Sequence, residues 1–185
     1  IVSFWEKLNC PKQFNLIELG AGNGEMMKVL LNSFSKFPQF KNSCKINILE
    51  KSELLRKIQK TNIKDVKVKW LNSLDELNNF PCIFIANEFF DALPIKQFLK
   101  KKKKWYERYV NFANNNKLEF LDIPFDMKKF EKKIKFKISY KQKFIEYSPL
   151  TAKYLKTIIN KIKLNNGGIL IIDYAYLEHE MKNTL

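Results

Sequence analysis

The stretch Phe14-Asn15-Leu16-Ile17-Glu18-Leu19-Gly20-Ala21-Gly22-Asn23-Gly24 constrains the fold most. It reads as a strand, a glycine-rich turn and the start of a helix. Further apolar runs, Lys45 to Leu49, Val66 to Trp70, Cys82 to Ala86 and Ile169 to Tyr174, alternate with helical patterns. Buried runs joined by helices predict an α/β fold, a mostly parallel sheet with helices on both faces. Helices are expected over Glu25 to Phe37, stopped by Pro38, and from a Ser52 cap through Leu54, Leu55 and Ile58. A last one is expected over Pro149 to Leu164, ended by Asn166-Gly167-Gly168. The middle differs. Five lysines, Lys100 to Lys104, precede Trp105 to Val110, and Asn114-Asn115-Asn116 marks a turn before Lys117 to Ile123. This predicts an antiparallel insertion at about 99–145, with the lysine run as a solvated turn or edge strand.

A chain of 185 residues, 45% hydrophobic, is most simply one globular domain over 1–185. No apolar run approaches the ~18 residues needed to cross a bilayer. The N-terminal residues lack the pattern of a signal peptide, and the missing Met implies a start inside a longer product. The formal charge of +15 raises nucleic acid as a partner, but only Arg56 and Arg108 are arginines. Lysine and asparagine at the expense of arginine follow from AT-rich coding, and nucleic-acid sites favour the bidentate arginine fork. Nucleic acid is therefore not expected as the partner. Cys10, Cys44 and Cys82 are odd in number and widely spaced, and His179 is the single histidine. No metal site or disulfide framework is expected, and the compartment reads as reducing: bacterial cytoplasm, or mitochondrial matrix in a eukaryote.

Gly20-x-Gly22-x-Gly24 departs from the dinucleotide fingerprint, whose third glycine falls one position later, where this chain has Glu25. A carboxylate there faces a pyrophosphate badly, and no Lys-Ser/Thr follows to make a P-loop. S-adenosylmethionine carries no phosphate; it presents a carboxylate, an ammonium and a sulfonium. Backbone N–H groups of the glycine turn suit the first, and nearby acids such as Glu18 suit the cations. Glu50, at the end of the second strand, is placed for ribose hydroxyls. Asn72 and Ser73, after the third, are placed for the adenine edge.

After the fourth strand comes Asn87-Glu88-Phe89-Phe90-Asp91-Ala92-Leu93-Pro94. Two carboxylates and an amide beside aromatic rings suit a cationic substrate. Glu88 and Asp91 are the candidate catalytic carboxylates, with Asn87 near the cofactor. Phe89 and Phe90 could exclude water or form a cation–π wall. Asp91 is equally placed to cap a helix opening at Leu93-Pro94. Ser148 reads as an N-cap before Pro149, and Tyr174 as a border of the site.

These residues resemble the MidA-type S-adenosylmethionine-dependent methyltransferases, the family of the mitochondrial complex I assembly arginine methyltransferase. The resemblance rests on Leu16-Ile17-Glu18-Leu19-Gly20-x-Gly22-x-Gly24, Glu50-x-Ser52-x-x-Leu55-Arg56-x-x-Gln59 and Ala86 to Phe98. It continues in Trp105-x-Glu107-Arg108-x-Val110, Glu146-x-Ser148-Pro149 and Gly167-Gly168 to Tyr174. Ala21, Asn23 and Ala175 depart from the family's usual Pro, Arg and Gly. The resemblance implies a Rossmann-like class I methyltransferase fold, truncated at both ends. It also implies S-adenosylmethionine as cofactor and arginine methylation of a protein substrate such as a respiratory complex I subunit. A homodimer is compatible with it. The alternatives are a cofactor-binding assembly chaperone without turnover, and an RNA methyltransferase; the missing Asn-Pro-Pro-aromatic block argues against methylation of base amines.

Overall fold

The computed structural model describes residues 1–64, 66–112 and 117–174. His179, Ala175 and the Asn114-Asn115-Asn116 turn lie outside the described residues. The chain divides into two compact units, Ile1–Ala92 with Lys153–Tyr174, and Leu93–Ala152.

The first unit opens with α1 (Val2–Lys7), then β1 (Phe14–Leu19), α2 (Glu25–Phe34), α3 (Pro38–Ser43), β2 (Cys44–Leu49) and α4 (Glu53–Asn62). β3 (Val68–Leu71), a 3-10 turn at Leu74–Glu76 and β4 (Cys82–Asn87) follow. Every residue of β1 is buried. The apolar run sorts by strand alternation: Phe14 and Leu16 join one core with Met27, Phe34 and Phe40, while Ile17 and Leu19 join another with Leu71 and Phe84. β4 divides the same way, Ile83 and Ile85 against Phe84 and Ala86. Both faces of the strand pair are covered, which is why these runs lack polar alternation.

Pairing is parallel throughout this sheet, in the order β3-β2-β1-β4-β9, where β9 is Gly167–Ile172. From β1 the chain winds outward to β3, then crosses to the other side of β1 for β4. The C-terminal ends of β1 and β4 flank that switch point, where connections leave in opposite directions and open a crevice.

Some expectations change. α2 ends at Phe34, and Pro38 does not stop it but opens α3 at its first turn, where a missing N–H costs nothing. The third strand begins at Val68, not Val66. β9 forms as expected but is not a buried strand among the described residues: Leu170, Ile171 and Ile172 are each 46% exposed, because β9 is hydrogen-bonded only to β4. α4 is capped by the Ser52 hydroxyl, which accepts from the Leu55 N–H. Yet Leu54 is 68% exposed, and Gln59 is the fully buried residue of that helix.

The second unit is an antiparallel sheet ordered β7-β6-β5-β8, as expected for the middle of the chain. Its strands are β5 (Lys96–Lys101), β6 (Lys104–Phe112), β7 (Leu118–Phe125) and β8 (Phe144–Tyr147). Lys102 and Lys103 both have positive φ, at 44° and 69°, and make the two-residue hairpin turn between β5 and β6. The lysine run is thus a solvated turn with its flanking strand ends. α5 (Met127–Ile134), capped by Asp126, covers the sheet through Met127 and Phe130 around buried Phe98 and Ile145. Ser148 caps α6 (Pro149–Asn165), its hydroxyl accepting from the Thr151 N–H at 3.2 Å.

Candidate functional site

Gly20, Gly22 and Gly24 all have positive φ, at 64°, 52° and 89°. The three positions differ in what surrounds them. A Cβ on Gly20 would lie 2.7 Å from the Phe89 ring, so the turn and the segment after β4 touch where a side chain would stand. A Cβ on Gly22 meets nothing within 4 Å: the backbone there faces open space. Gly24 caps α2.

The turn is held from below by α4. Gln59 Nε2 donates to the Gly22 carbonyl at 2.8 Å and to Glu50 Oε2 at 3.2 Å, while its Oε1 accepts from Trp70 Nε1 at 2.8 Å. Glu50 Oε1 accepts from the Ser52 N–H at 2.9 Å. Arg56 donates to the Glu50 carbonyl, to the Leu71 carbonyl at 2.8 Å and to Asn72 Oδ1 at 2.8 Å, tying the ends of β2 and β3 together. Gln59 and Arg56 are the residues that hydrophobic spacing missed. The signal was present in Glu50-x-Ser52-x-x-Leu55-Arg56-x-x-Gln59, where two polar residues stand three apart on one helical face.

Glu18 is 2% exposed, and its Oε2 has no hydrogen-bond partner among the described residues. Burial pushes its pKa from 4.5 up to about 7. A buried carboxyl oxygen without a partner is costly, and native folds keep such groups where a water or ion completes them or where they serve chemistry.

Asn87 ends β4, half-buried, and the Glu88 N–H donates to the Ile172 carbonyl at 2.8 Å. Glu88 has φ 47°, a left-handed conformation that β-branched residues avoid. Its exposed carboxylate accepts a hydrogen bond from the Tyr174 hydroxyl, which holds the phenol pKa above its usual value, with Asp91 and Asp173 adding in the same direction. The ends of β4 and β9 thus carry Glu88, Asp91, Asp173 and Tyr174 together. Asp173 Oδ1 also accepts from the Tyr174 N–H at 2.8 Å.

The helix that Asp91 was placed to cap does not form: Asp91 and Ala92 lie in a turn that leads into β5. Phe89 is committed to packing, edge-on to Phe90 and Tyr154 at 5.3 Å each and against Gly20. Ser73 spends its hydroxyl as the cap of the 3-10 turn, in a capping box with Glu76, and Asn72 Oδ1 is engaged by Arg56. Cys10, Cys44 and Cys82 are all free thiols, Cys82 buried. Among the described residues no cluster of His, Cys, Asp and Glu could hold a metal ion. No described helix is long and apolar enough to cross a membrane.

The chain is similar to several known proteins. The chain is 26% identical to a mitochondrial protein arginine methyltransferase NDUFAF7 homolog of Caenorhabditis elegans, over 93% of this chain and 48% of that protein. It is 27% identical to the Xenopus laevis protein arginine methyltransferase NDUFAF7, over 95% and 46%. It therefore spans about half the length of these curated relatives. The fold is that of a likely methyl transferase of the COG1565 superfamily from Burkholderia thailandensis, solved bound to S-adenosyl-homocysteine, with TM-score 0.71, 21% identity, and 94% of this chain against 45% of that one. A native crystal structure of a COG1565 superfamily protein from the same organism gives TM-score 0.73 at 20% identity, over 95% of this chain and 47% of that one. A family described as putative S-adenosyl-L-methionine-dependent methyltransferases matches residues 1–185 from end to end, and this chain belongs to that family.

Proposed function

We propose that this chain carries the cofactor site and the catalytic carboxylates of an S-adenosylmethionine-dependent protein arginine methyltransferase. The observation that carries this reading is the unpartnered, buried Glu18 carboxyl oxygen beneath a glycine turn whose Gly22 faces open space. The residues fit the cofactor. A carboxylate awaiting a cation suits its ammonium. A Gly22 without obstruction lets backbone approach closely. Glu50, positioned on both oxygens by Ser52 and Gln59, keeps lone pairs for ribose hydroxyls. Asn72 and Ser73 stand at the adenine end as candidates, with their side chains already partnered.

When bound, the cofactor supplies a methyl carbon activated by its positive sulfur. The chain's own part concerns the acceptor. A guanidinium nucleophile is weak because its charge is delocalised and its pKa lies above about 12. Glu88 and Asp91 would grip it by charge-assisted hydrogen bonds, localising positive charge away from the attacking nitrogen. Tyr174 orients the Glu88 carboxylate. Asn87, on the last residue of β4, orients groups at the cofactor's amino-acid end. A protein containing arginine, such as a respiratory complex I subunit, is the substrate, and the three free thiols fit a bacterial cytoplasm or a mitochondrial matrix.

Calorimetric titration of S-adenosylmethionine into this chain and into a longer natural product, with Gly22→Val as control, tests the reading. Binding abolished in the Gly22 variant supports it. No binding to either length overturns it.

A further inference from the structure

The Leu93–Ala152 unit carries a cavity of about 280 Å³ of its own. Its walls are aromatic: Phe98, Phe125, Phe130 and Tyr147 form one continuous cluster, with ring centroids 4.5 to 5.7 Å apart. Phe98 is fully buried, whereas Phe125, Phe130 and Tyr147 are half-buried and open onto the hollow. Its rim is basic. Lys129 and Lys133, one turn apart on α5, stand at the edge, and neither has an ion-pair partner among the described residues. The other rim charges are spoken for. Lys96 donates to Glu107 at 2.5 Å, and Asp126 caps α5 through the Lys129 N–H at 3.0 Å.

Size and chemistry narrow the occupant. Pockets that enclose drug-sized ligands run from roughly 300 to 1,000 Å³, so this one suits a single large side chain rather than a nucleotide. Half-buried rings around a hollow are the usual seat of an interface anchor. Two unpaired ammonium groups at the mouth call for carboxylates next to that anchor, and repel a basic flank.

We infer that this groove docks an acidic segment of the protein substrate, by one aromatic or large aliphatic side chain seated among Phe98, Phe125, Phe130 and Tyr147 and flanking carboxylates on Lys129 and Lys133. The inference rests on the protein-substrate reading and deepens it. A chain of formal charge +15 repels a cationic target. Affinity for an arginine-bearing protein must come from contacts elsewhere, and an acidic docking segment supplies attraction of the right sign.

The test uses the full-length protein and a fluorescein-labelled Ser-Asp-Glu-Phe-Glu-Asp-Ser peptide, read by fluorescence anisotropy. Expected is saturable binding weakened about tenfold by Lys129→Glu with Lys133→Glu. The control is Lys128→Glu with Lys132→Glu, the same charge change on the same helix, at residues lining a different hollow. It should change affinity less than about twofold. Replacing the peptide's Phe by Ser should weaken binding as strongly as the groove variant, with the protein unaltered. Equal loss in the two lysine pairs, indifference to the Phe, or binding of anionic vesicles but not of the peptide each overturns the proposal. S-adenosylhomocysteine titrated into the same preparation separates the two readings. Cofactor binding without peptide binding sinks the groove alone; absence of cofactor binding sinks the methyltransferase reading.

Discussion

Gln59 Nε2 lies 2.8 Å from the Gly22 carbonyl oxygen, a bond spanning 37 residues that ties α4 to the glycine turn. The same nitrogen reaches Glu50 Oε2, and the amide oxygen takes the Trp70 indole N–H. One buried amide therefore sets the turn and the strand-end acid at once. Gln59→Leu leaves a Gly22 carbonyl and an indole N–H without their partner. Loss of about 2–4 kcal/mol is expected from the stranded groups. Urea denaturation should report that loss, and calorimetry should show S-adenosylhomocysteine affinity falling about tenfold or more, since the turn and Glu50 lose their common support.

Glu18 makes the fold pH-dependent. Its folded pKa, about 7, exceeds the ordinary 4.5. Between those values the folded state holds a proton that the unfolded state has released. Stability therefore rises as pH falls from about 7 towards 4.5, and above 7 the buried charge costs on the order of 3 kcal/mol. Glu18→Gln should melt higher than the parent at pH 8 and close to it at pH 4.5, by differential scanning calorimetry without ligand. With ligand the effect reverses. A cation facing Glu18 needs the carboxylate, so affinity for S-adenosylhomocysteine should rise roughly eightfold from pH 6 to 7.5. That rise should be flat in the Gln variant.

Glu88→Gln keeps shape and removes charge. Turnover on an arginine substrate should fall about 100-fold or more, while cofactor affinity stays within about twofold. Tyr174→Phe should lower kcat less, because it frees the Glu88 carboxylate without removing it. Steady-state kinetics beside calorimetry distinguishes these cases. Unchanged turnover in Glu88→Gln removes that residue from the mechanism.

Gly20→Ala places a methyl 2.7 Å from the Phe89 ring at φ 64°. The clash and the backbone strain separate in a double-mutant cycle with Phe89→Leu. The smaller side chain should relieve the steric part and leave about 1 kcal/mol of conformational cost, read from chemical denaturation.

Lys102 and Lys103 occupy a two-residue turn with both φ positive, where asparagine and glycine are preferred. Lys102→Asn with Lys103→Gly should raise the melting temperature of the protein, by about 1 kcal/mol of turn strain removed, without altering cofactor affinity.

The backbone plan was legible because apolar transfer is local information. Phe14 to Leu19 and Cys82 to Ala86 are too continuous for anything but strands buried on both faces, and Ser52 and Ser148 act as the caps their positions suggest. α4 was legible as a helix but not in its rotation. Leu54 and Ile58 mark its expected inner face, yet Gln59 is inside and Leu54 is outside, because the Gly22 carbonyl, Glu50 and the Trp70 indole take the Gln59 amide as their common partner. The helix expected at Leu93-Pro94 failed for a related reason: β4 hands the chain through a turn to β5, and pairing in the antiparallel sheet overrides local propensity.

The sequence by itself determined the alternation of the buried strands with α2, α4 and α6, the glycine turn, and the presence of acids at the ends of β1, β2 and β4. Those follow from periodicity, turn chemistry and hydrophobicity, each acting over a few residues. Only the tertiary structure decided that Glu18 is buried with an unpartnered oxygen, that Gln59 locks Gly22 to Glu50, and that Tyr174 meets Glu88. Burying a polar group is favourable only when its partner arrives, and these partners come from strands and helices far apart in the chain.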